Sequence, residues 1–331
     1  MEPPIKIAIL GFGFMGKMHA DVYRRLPNAV VVAVVDPRKE AASMAVAESG
    51  LNCPVFSTYA EAAQACDFDV TDICLPTDLH RDSALEAFSH RTHVFCEKPI
   101  AINPEDASAM VEAAESAGKQ LMIGHCIRFW PEYVELKRVV DSGEHGRLRS
   151  LSMTRGTGRT SYSIGNWVNQ PERCLGAALD LHIHDSDFLL HLLGPPEAVF
   201  SQGICDETGW SSIMTQYLYE GVRVSAEGAW NYPESWGFQM RFTAVFENGV
   251  LDYDSRVAAP LTLTPSEGPT APVVLPDSRD GYFHELAYFL NCIERGEAVN
   301  VSTGSQAANS LDLVLAEIES AKTGCLITPA N

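Results

Sequence analysis

Residues 5–16 read Ile5-Lys6-Ile7-Ala8-Ile9-Leu10-Gly11-Phe12-Gly13-Phe14-Met15-Gly16. The apolar run Ile5–Leu10, with its β-branched residues, predicts a buried parallel strand. Gly11–Gly16 is a G-x-G-x-x-G loop that opens a helix predicted over Lys17–Leu26. In that setting the first glycine permits a tight turn. The second lets the backbone approach a pyrophosphate, with Phe12, Phe14 and Met15 completing the cradle, and the third lets helix and strand pack closely. The helix N-terminus then presents N–H groups and a positive dipole end to the phosphates. A second strand, Ala29–Val35, ends at Asp36, 20 positions after Gly16. A carboxylate there accepts hydrogen bonds from an adenosine ribose and opposes a 2′-phosphate, so NAD is expected and NADP is disfavoured. Arg38 and Lys39 lie close by and offset part of that opposition.

The same rhythm continues outward. Helix is predicted over Arg38–Ser49, strand over Val70–Leu75, helix over Arg81–Ser89 and strand over His93–Cys96. Asn103 caps a helix with Pro104 just inside it, running to Ala117 and stopping at Gly118, before a strand at Gln120–Ile123. This is a doubly wound parallel sheet, an α/β Rossmann domain over residues 1–124. From residue 125 to 331 strand-like runs follow one another: Ser150–Arg155, Ala198–Ile204, Ile213–Tyr219, Val222–Trp230, Gln239–Phe246 and Val250–Tyr253. Their alternation predicts an α+β domain with a large, mainly antiparallel sheet. Helices are predicted over Leu179–Leu193, Phe283–Arg295 and Ser305–Lys322, with the closing pair returning to the first domain. Pro260–Pro276 reads as a Pro/Ser/Thr-rich loop.

The chain has 331 residues, with 24 Lys+Arg against 43 Asp+Glu and a net charge of −19. So acidic a chain is a poor partner for phosphate backbones or anionic lipid, which argues against nucleic-acid and membrane binding. No apolar run reaches the length of a membrane span. The acidic opening Met1-Glu2-Pro3-Pro4 does not resemble a signal peptide, and nine scattered cysteines without a C-x-x-C pair suit a reducing compartment. A cytoplasmic protein is expected.

Two segments carry titratable groups in suggestive places. Glu97-Lys98-Pro99 follows a strand at the carboxyl edge of the parallel sheet, where ligands collect and a lysine can donate to a substrate oxygen. Gly176–Leu193 places Asp180 and His184 at i,i+4, so a carboxylate can orient an imidazole that takes up or releases a proton near neutrality. The plain alternative is an amphipathic helix capped by Asp180. His182 falls on a different helical face from His184, so no metal site is expected.

Together these residues resemble the glucose-fructose oxidoreductase and inositol dehydrogenase family over nearly the whole chain. The resemblance rests on Gly11–Gly16, on Cys74-Leu75-Pro76-Thr77 with His80, on Glu97-Lys98-Pro99, on Gly124 with Arg128-Phe129 and Pro131, on Asp180-x-x-x-His184 and on the closing segment Phe283–Asn331. It implies that Pro76, Thr77 and His80 line the cofactor groove, with Arg128 contributing, that Glu97 contacts the nicotinamide ribose, and that the Lys98-Pro99 bond is cis. It also implies that Lys98 polarises the substrate oxygen, that His184 is the acid/base and that Asp180 is its partner. His125, Arg155, Trp167, His182 and Tyr282 become pocket candidates. Two departures stand out: Ala177 and Ala178 follow Gly176 where the family has further glycines, and Cys126 stands where an asparagine is usual.

The function so implied is an NAD-dependent dehydrogenase acting on a secondary alcohol of a sugar, sugar derivative or cyclitol, assembled as a homodimer or homotetramer through the second domain's sheet. A redox-neutral NAD-using glycoside hydrolase or epimerase is the alternative within enzymes. A non-catalytic NAD-binding regulator is the alternative outside them, and the joint presence of Lys98, Asp180 and His184 argues against it.

Overall fold

The structure, a computed structural model, describes residues 3–159 and 163–329. Met1-Glu2 of the acidic opening and Ala330-Asn331 of the closing segment lie outside the described residues. The chain divides into two compact units. Among the described residues the first takes residues up to 126, 163–167 and 282–308, and the second takes 127–159, 168–281 and 309–329. A single cut at residue 124 therefore does not describe the division.

The first unit is a six-stranded parallel sheet of β1 (Ile5–Leu10), β2 (Ala29–Val35), β3 (Val55–Phe56), β4 (Val70–Ile73), β5 (His93–Glu97) and β6 (Leu121–Gly124) in the order β3-β2-β1-β4-β5-β6. The reversal of strand order between β1 and β4 is the switch point of a doubly wound sheet. Ile7, Ala8, Ile9, Val70, Ile73, Val94 and Phe95 have no exposed surface, as strands covered on both faces require. Between the strands run α1 (Phe14–Arg25), α2 (Lys39–Glu48), α3 (Tyr59–Ala65), α4 (His80–Ser89) and α5 (Pro104–Ala117). Helix α5 starts where Asn103 accepts the Asp106 N–H at 2.8 Å and stops at Gly118, whose φ is +63°. Helix α3 is absent from the sequence reading, yet Thr58 caps it by accepting the Glu61 N–H, and the Glu61 carboxylate accepts the Ser57 N–H at 3.0 Å, one residue before the cap.

Helix α9 (Gly281–Arg295) and the segment after it join this unit through the edge of β6. Ile123 N–H donates to Ser302 O at 2.9 Å, Ser302 Oγ donates to Ile123 O at 2.5 Å, and Phe289 packs edge-on against Phe95.

The second unit carries an eight-stranded sheet of β7 (Leu148–Gly158), β8 (Ala198–Asp206), β9 (Gly209–Tyr219), β10 (Val222–Tyr232), β11 (Gln239–Phe246), β12 (Gly249–Asp254), β13 (Leu261–Pro265) and β14 (Ala271–Pro272), ordered β14-β13-β12-β11-β7-β10-β9-β8. All pairs are antiparallel except β7 with β10. Strands β13 and β14 lie within residues 260–276, which the composition reads as loop; Leu261-Thr262-Leu263-Thr264 pairs with β12 all the same.

Met240, Phe242, Ala244 and Phe246 of β11 turn inward, as alternation requires. Over them packs α6 (Pro131–Ser142), another helix the sequence reading missed, with the Tyr133 ring 4.9 Å from Phe188 and 5.1 Å from Phe242. After the short α7 (Pro171–Cys174), a single π-helical turn, Ala178–His182, leads into α8 (Ile183–Leu193) where the periodicity predicts one helix over Leu179–Leu193. Helix α10 (Gly304–Thr323) ends the described helices.

The π turn lies against β10 because Gly228 has no side chain. A Cβ there would stand 2.5 Å from His182 Cβ and 2.9 Å from His182 Cα. Gly228→Ala should push the turn off the sheet at a cost of about 1–3 kcal/mol. A urea midpoint equal to that of the parent would contradict this packing.

His93 at the start of β5 accepts the Gln120 N–H on Nδ1 at 3.2 Å. Burial, and then the Lys119 charge, lower its pKa from 6.5 to about 4. Between those values the unfolded chain binds a proton that the folded chain does not. This contribution to stability is full above about pH 6.5 and is lost as pH falls toward 4. His93→Gln should flatten the acid limb of a melting-temperature profile across that window, and an unchanged slope would count against the assignment.

Candidate functional site

The glycine loop follows from close backbone contacts. Gly11 has φ +86°, and a Cβ there would meet Cys74 O at 2.6 Å; a Cβ at Gly16 would lie 2.1 Å from Gly11 O. Gly13 precedes the first turn of α1, and no side chain among the described residues caps that N-terminus. The loop and the N-terminus of α1 fit a dinucleotide pyrophosphate. Phe12 is buried, Phe14 is exposed and Met15 is half-buried.

Asp36 is buried where β2 ends. Its carboxylate accepts the Phe12 N–H at 3.0 Å, the Arg38 N–H at 2.9 Å, and the Arg38 guanidinium at 3.0 Å (Nε) and 2.5 Å (Nη2). Burial pushes its pKa up. The hydrogen bonds and charge of Arg38 outweigh this and hold it below the usual carboxylate value. Arg38 is therefore a forked partner of Asp36 and not merely a neighbouring cation.

At the carboxyl edge of the same sheet, Glu97 ends β5, Lys98 is half-buried and the Lys98-Pro99 bond is cis. Glu97 Oε2 accepts the Lys98 N–H at 3.2 Å. Pro76 is half-buried and Thr77 buried. His80, expected to line the cofactor groove, is only 1% exposed, with Nδ1 2.9 Å from Pro99 O and Nε2 2.9 Å from Leu75 O. It braces two loops instead of offering a nitrogen to a ligand. Burial keeps its pKa below the ordinary histidine value despite both carbonyls.

Three further candidates fall in this unit. His125 is buried, Trp167 is half-buried and Tyr282 begins α9. The Cys126 side chain beside Tyr282, and then burial, push its phenol well up.

One residue that sequence reasoning missed sits among these. His19, three positions after Gly16 on α1, has no exposed surface. Its Nδ1 donates to Asp72 Oδ2 at 2.9 Å, and its Nε2 stands 3.1 Å from Glu97 Oε1. Burial would lower its pKa, but the Asp72 charge and hydrogen bond raise it well above the ordinary value. The available signal was Asp72, an acid inside the apolar run Val70–Leu75.

In the second unit, every residue of the stretch 177–189 is buried except Asp180 and His184, which are half-buried. Their i,i+4 spacing bridges the π turn and the first turn of α8, and π turns recur at functional sites. The neighbours are tied inward. Asp185 takes a fork from Arg155, Nε and Nη2 both at 2.9 Å. Asp187 takes one from Arg128, Nε at 2.8 Å and Nη2 at 2.7 Å, plus Ser310 Oγ at 2.7 Å.

His182 places Nε2 2.7 Å from Glu317 Oε2. Glu317 also accepts from Ser186 at 2.9 Å, Tyr217 at 3.0 Å and Thr215 at 3.1 Å. Arg155 and His182, expected as substrate contacts, and Arg128, expected at the cofactor, thus hold buried carboxylates. Their local sequence gives no sign of this, because each partner comes from a distant element.

Comparison with known proteins agrees with this geometry. The pattern of an oxidoreductase family with an NAD-binding Rossmann fold matches residues 5–125, and that of the GFO/IDH/MocA C-terminal domain matches residues 133–252. Inositol 2-dehydrogenase 4 of Saccharopolyspora erythraea is 36% identical over 259 residues, covering 74% of this chain and 72% of that protein. The 2,7-anhydro-N-acetylneuraminate hydratase of Escherichia coli is 30% identical over 196 residues, 59% of this chain and 51% of its own length. A levoglucosan dehydrogenase in complex with NADH and levoglucosan shares the fold, with a TM-score of 0.89 at 20% identity and coverage of 99% of this chain and 100% of that one. A glycine cradle, an acid at the end of β2, a Glu-Lys-Pro turn and a half-open Asp–His pair thus meet two matching domain patterns and a relative similar over most of its length, and the chain belongs to the GFO/IDH/MocA family of oxidoreductases with an NAD-binding Rossmann fold.

Proposed function

We propose that this protein is an NAD-dependent dehydrogenase that transfers a hydride between the nicotinamide and a secondary alcohol of a sugar, sugar derivative or cyclitol. The observation that carries the reading is the pattern of residues 177–189, in which Asp180 and His184 alone are left half-open while both flanks are tied inward. The inositol dehydrogenase relative supports the substrate class.

When bound, NAD supplies the hydride acceptor. The glycine loop and the N-terminus of α1 hold its pyrophosphate, Asp36 its adenosine ribose and Glu97 its nicotinamide ribose. Lys98 donates to the substrate oxygen and favours its anionic form as the proton leaves. His184 accepts that proton, and Asp180 orients the imidazole and stabilises its charged form. Nine scattered cysteines without a C-x-x-C pair support a cytoplasmic setting. Ile204, Met214 and Leu218, exposed on one face of β8 and β9, support a homodimer or homotetramer through that sheet.

The test is turnover of a panel of inositols, anhydrosugars, aldoses and sugar acids, read as nicotinamide absorbance. His184→Ala should lose about 10²–10⁴ in kcat while still binding NADH. Lys98→Ala should lose kcat and raise KM, and Asp180→Asn should fall between the two. Oxidation should rise with pH across the neutral range, where an imidazole base loses its proton. Near-normal turnover by His184→Ala with an unchanged pH profile would remove the assignment.

The hydratase relative favours one second reading, a redox-neutral reaction in which the cofactor is reduced and restored within each turnover. Product formation without accumulating NADH would select it.

The Asp36–Arg38 fork sets the cofactor preference. NAD should bind more tightly than NADP, and Asp36→Asn, which frees Arg38 for a 2′-phosphate, should narrow the gap by about 1–3 kcal/mol. Fluorescence titrations with both reduced cofactors measure this, and an unchanged ratio would contradict it.

A further inference from the structure

We infer that His19 is a positioning residue, a buried imidazolium that Asp72 holds charged and that fixes the Glu97 carboxylate and, through it, the turn carrying Lys98. The inference rests on the reading that Glu97 and Lys98 act at the reacting end of the cofactor.

His19 meets a carboxylate oxygen at each ring nitrogen, Asp72 Oδ2 at 2.9 Å and Glu97 Oε1 at 3.1 Å. A neutral imidazole has one N–H and one lone pair, so in this setting it would aim a lone pair at a carboxylate. The doubly protonated ring donates to Asp72 and brings its second charged nitrogen to 3.1 Å from Glu97 Oε1, a close ion pair outside hydrogen-bond geometry. Asp72 has no exposed surface on β4, and a carboxylate there is costly without a cation; among the described residues His19 is that cation.

Other groups pack around the same ring. The Cys74 Sγ, just after β4, lies 3.3 Å from Nδ1 and 3.5 Å from Asp72 Oδ1, and burial pushes its pKa up, so it stays a thiol and donates to Asp72. Tyr23, four residues along α1, sets its ring edge-on to His19, and its phenol is likewise pushed up, first by burial and then by Asp72. Glu285 of α9 brings a carboxylate oxygen within 4.8 Å of both His19 and Glu97. Phe95 closes the site with an edge contact at 5.5 Å.

The consequence for the site is a continuous line. Asp72 on β4 accepts a hydrogen bond from His19 on α1, His19 Nε2 forms an ion pair with Glu97 Oε1 at the end of β5, and Glu97 Oε2 accepts the Lys98 N–H at 3.2 Å. The helix that opens with the phosphate loop thus also sets the Glu-Lys-Pro turn.

The full-length protein tests this in two ways. Nitrogen-15 spectra of its histidine rings, assigned with His19→Gln, should show both His19 nitrogens protonated at pH 8. In Asp72→Asn the same ring should be neutral at that pH. A neutral His19 in the parent at pH 7 overturns the inference.

Kinetics on the best alcohol of the panel supply the second arm. Asp72→Asn and His19→Gln should lower kcat on the order of tenfold, with NADH affinity within about threefold of the parent. His19→Gln keeps a donor toward Glu97 and should be milder than His19→Asn, which reaches only Asp72. Parental kcat in Asp72→Asn and His19→Gln, alongside a slowed Glu97→Gln, overturns the role of His19 alone. Parental kinetics in Glu97→Gln overturn the reading of the turn itself and the positioning role with it.

Discussion

A carboxylate without solvent costs several kcal/mol unless a cation meets it, and α8 carries two, Asp185 and Asp187, neither with any exposed surface. Arg155 of β7 meets the first and Arg128, just before α6, meets the second, each by a two-pronged fork that fixes angle as well as distance. Removing either arginine would strand a charge. The helix is therefore pinned in rotation by electrostatics and in translation by packing on β10. Glu317 adds a third anchor through His182 and Ser186. Within residues 177–189, Asp180 and His184 are the two that keep partial exposure.

The first unit uses the same device with the roles exchanged. There a histidine supplies the positive charge and acids from β4 and β5 supply the negative. His80 adds a strut between the loop after β4 and the turn after β5. Turns at the edge of a parallel sheet are otherwise held only by their flanking strands. These buried polar bridges keep such a turn in one arrangement, since a partly satisfied network costs more than an apolar filling.

The Rossmann half was legible because each signal is local. Glycines at fixed offsets, valine runs for doubly covered strands, and the Asn103-Pro104 start with its Gly118 stop are all read within a few residues. Helix α3 was legible too, through Thr58 and Glu61, and α6 through Pro131 and Gly143, whose φ of +64° ends it; these caps were present but not read. The π turn was not legible, because it exists to seat His182 against Gly228, about 45 residues further on. Nor were the partners of Arg128, Arg155 and His182. An isolated arginine or histidine in a sequence looks the same whether its partner is a buried acid on another element or a ligand. Motif spacing names Asp180 and His184, while burial explains why their neighbours, equally polar on paper, serve as anchors.

The edge of β6 bears on how the protein is made. Ile123 completes its hydrogen bonds with Ser302, 179 residues further along the chain. At ribosomal elongation rates that interval is roughly 10–40 s. Throughout it the nascent Rossmann sheet presents β6 as a bare strand, with backbone donors and acceptors facing outward beside apolar residues, the arrangement most prone to pairing with another chain. The N-terminal half therefore cannot reach its finished state co-translationally on its own. It matures only when nearly the whole polypeptide has emerged, and a chaperone that shields strand edges would serve it during that delay.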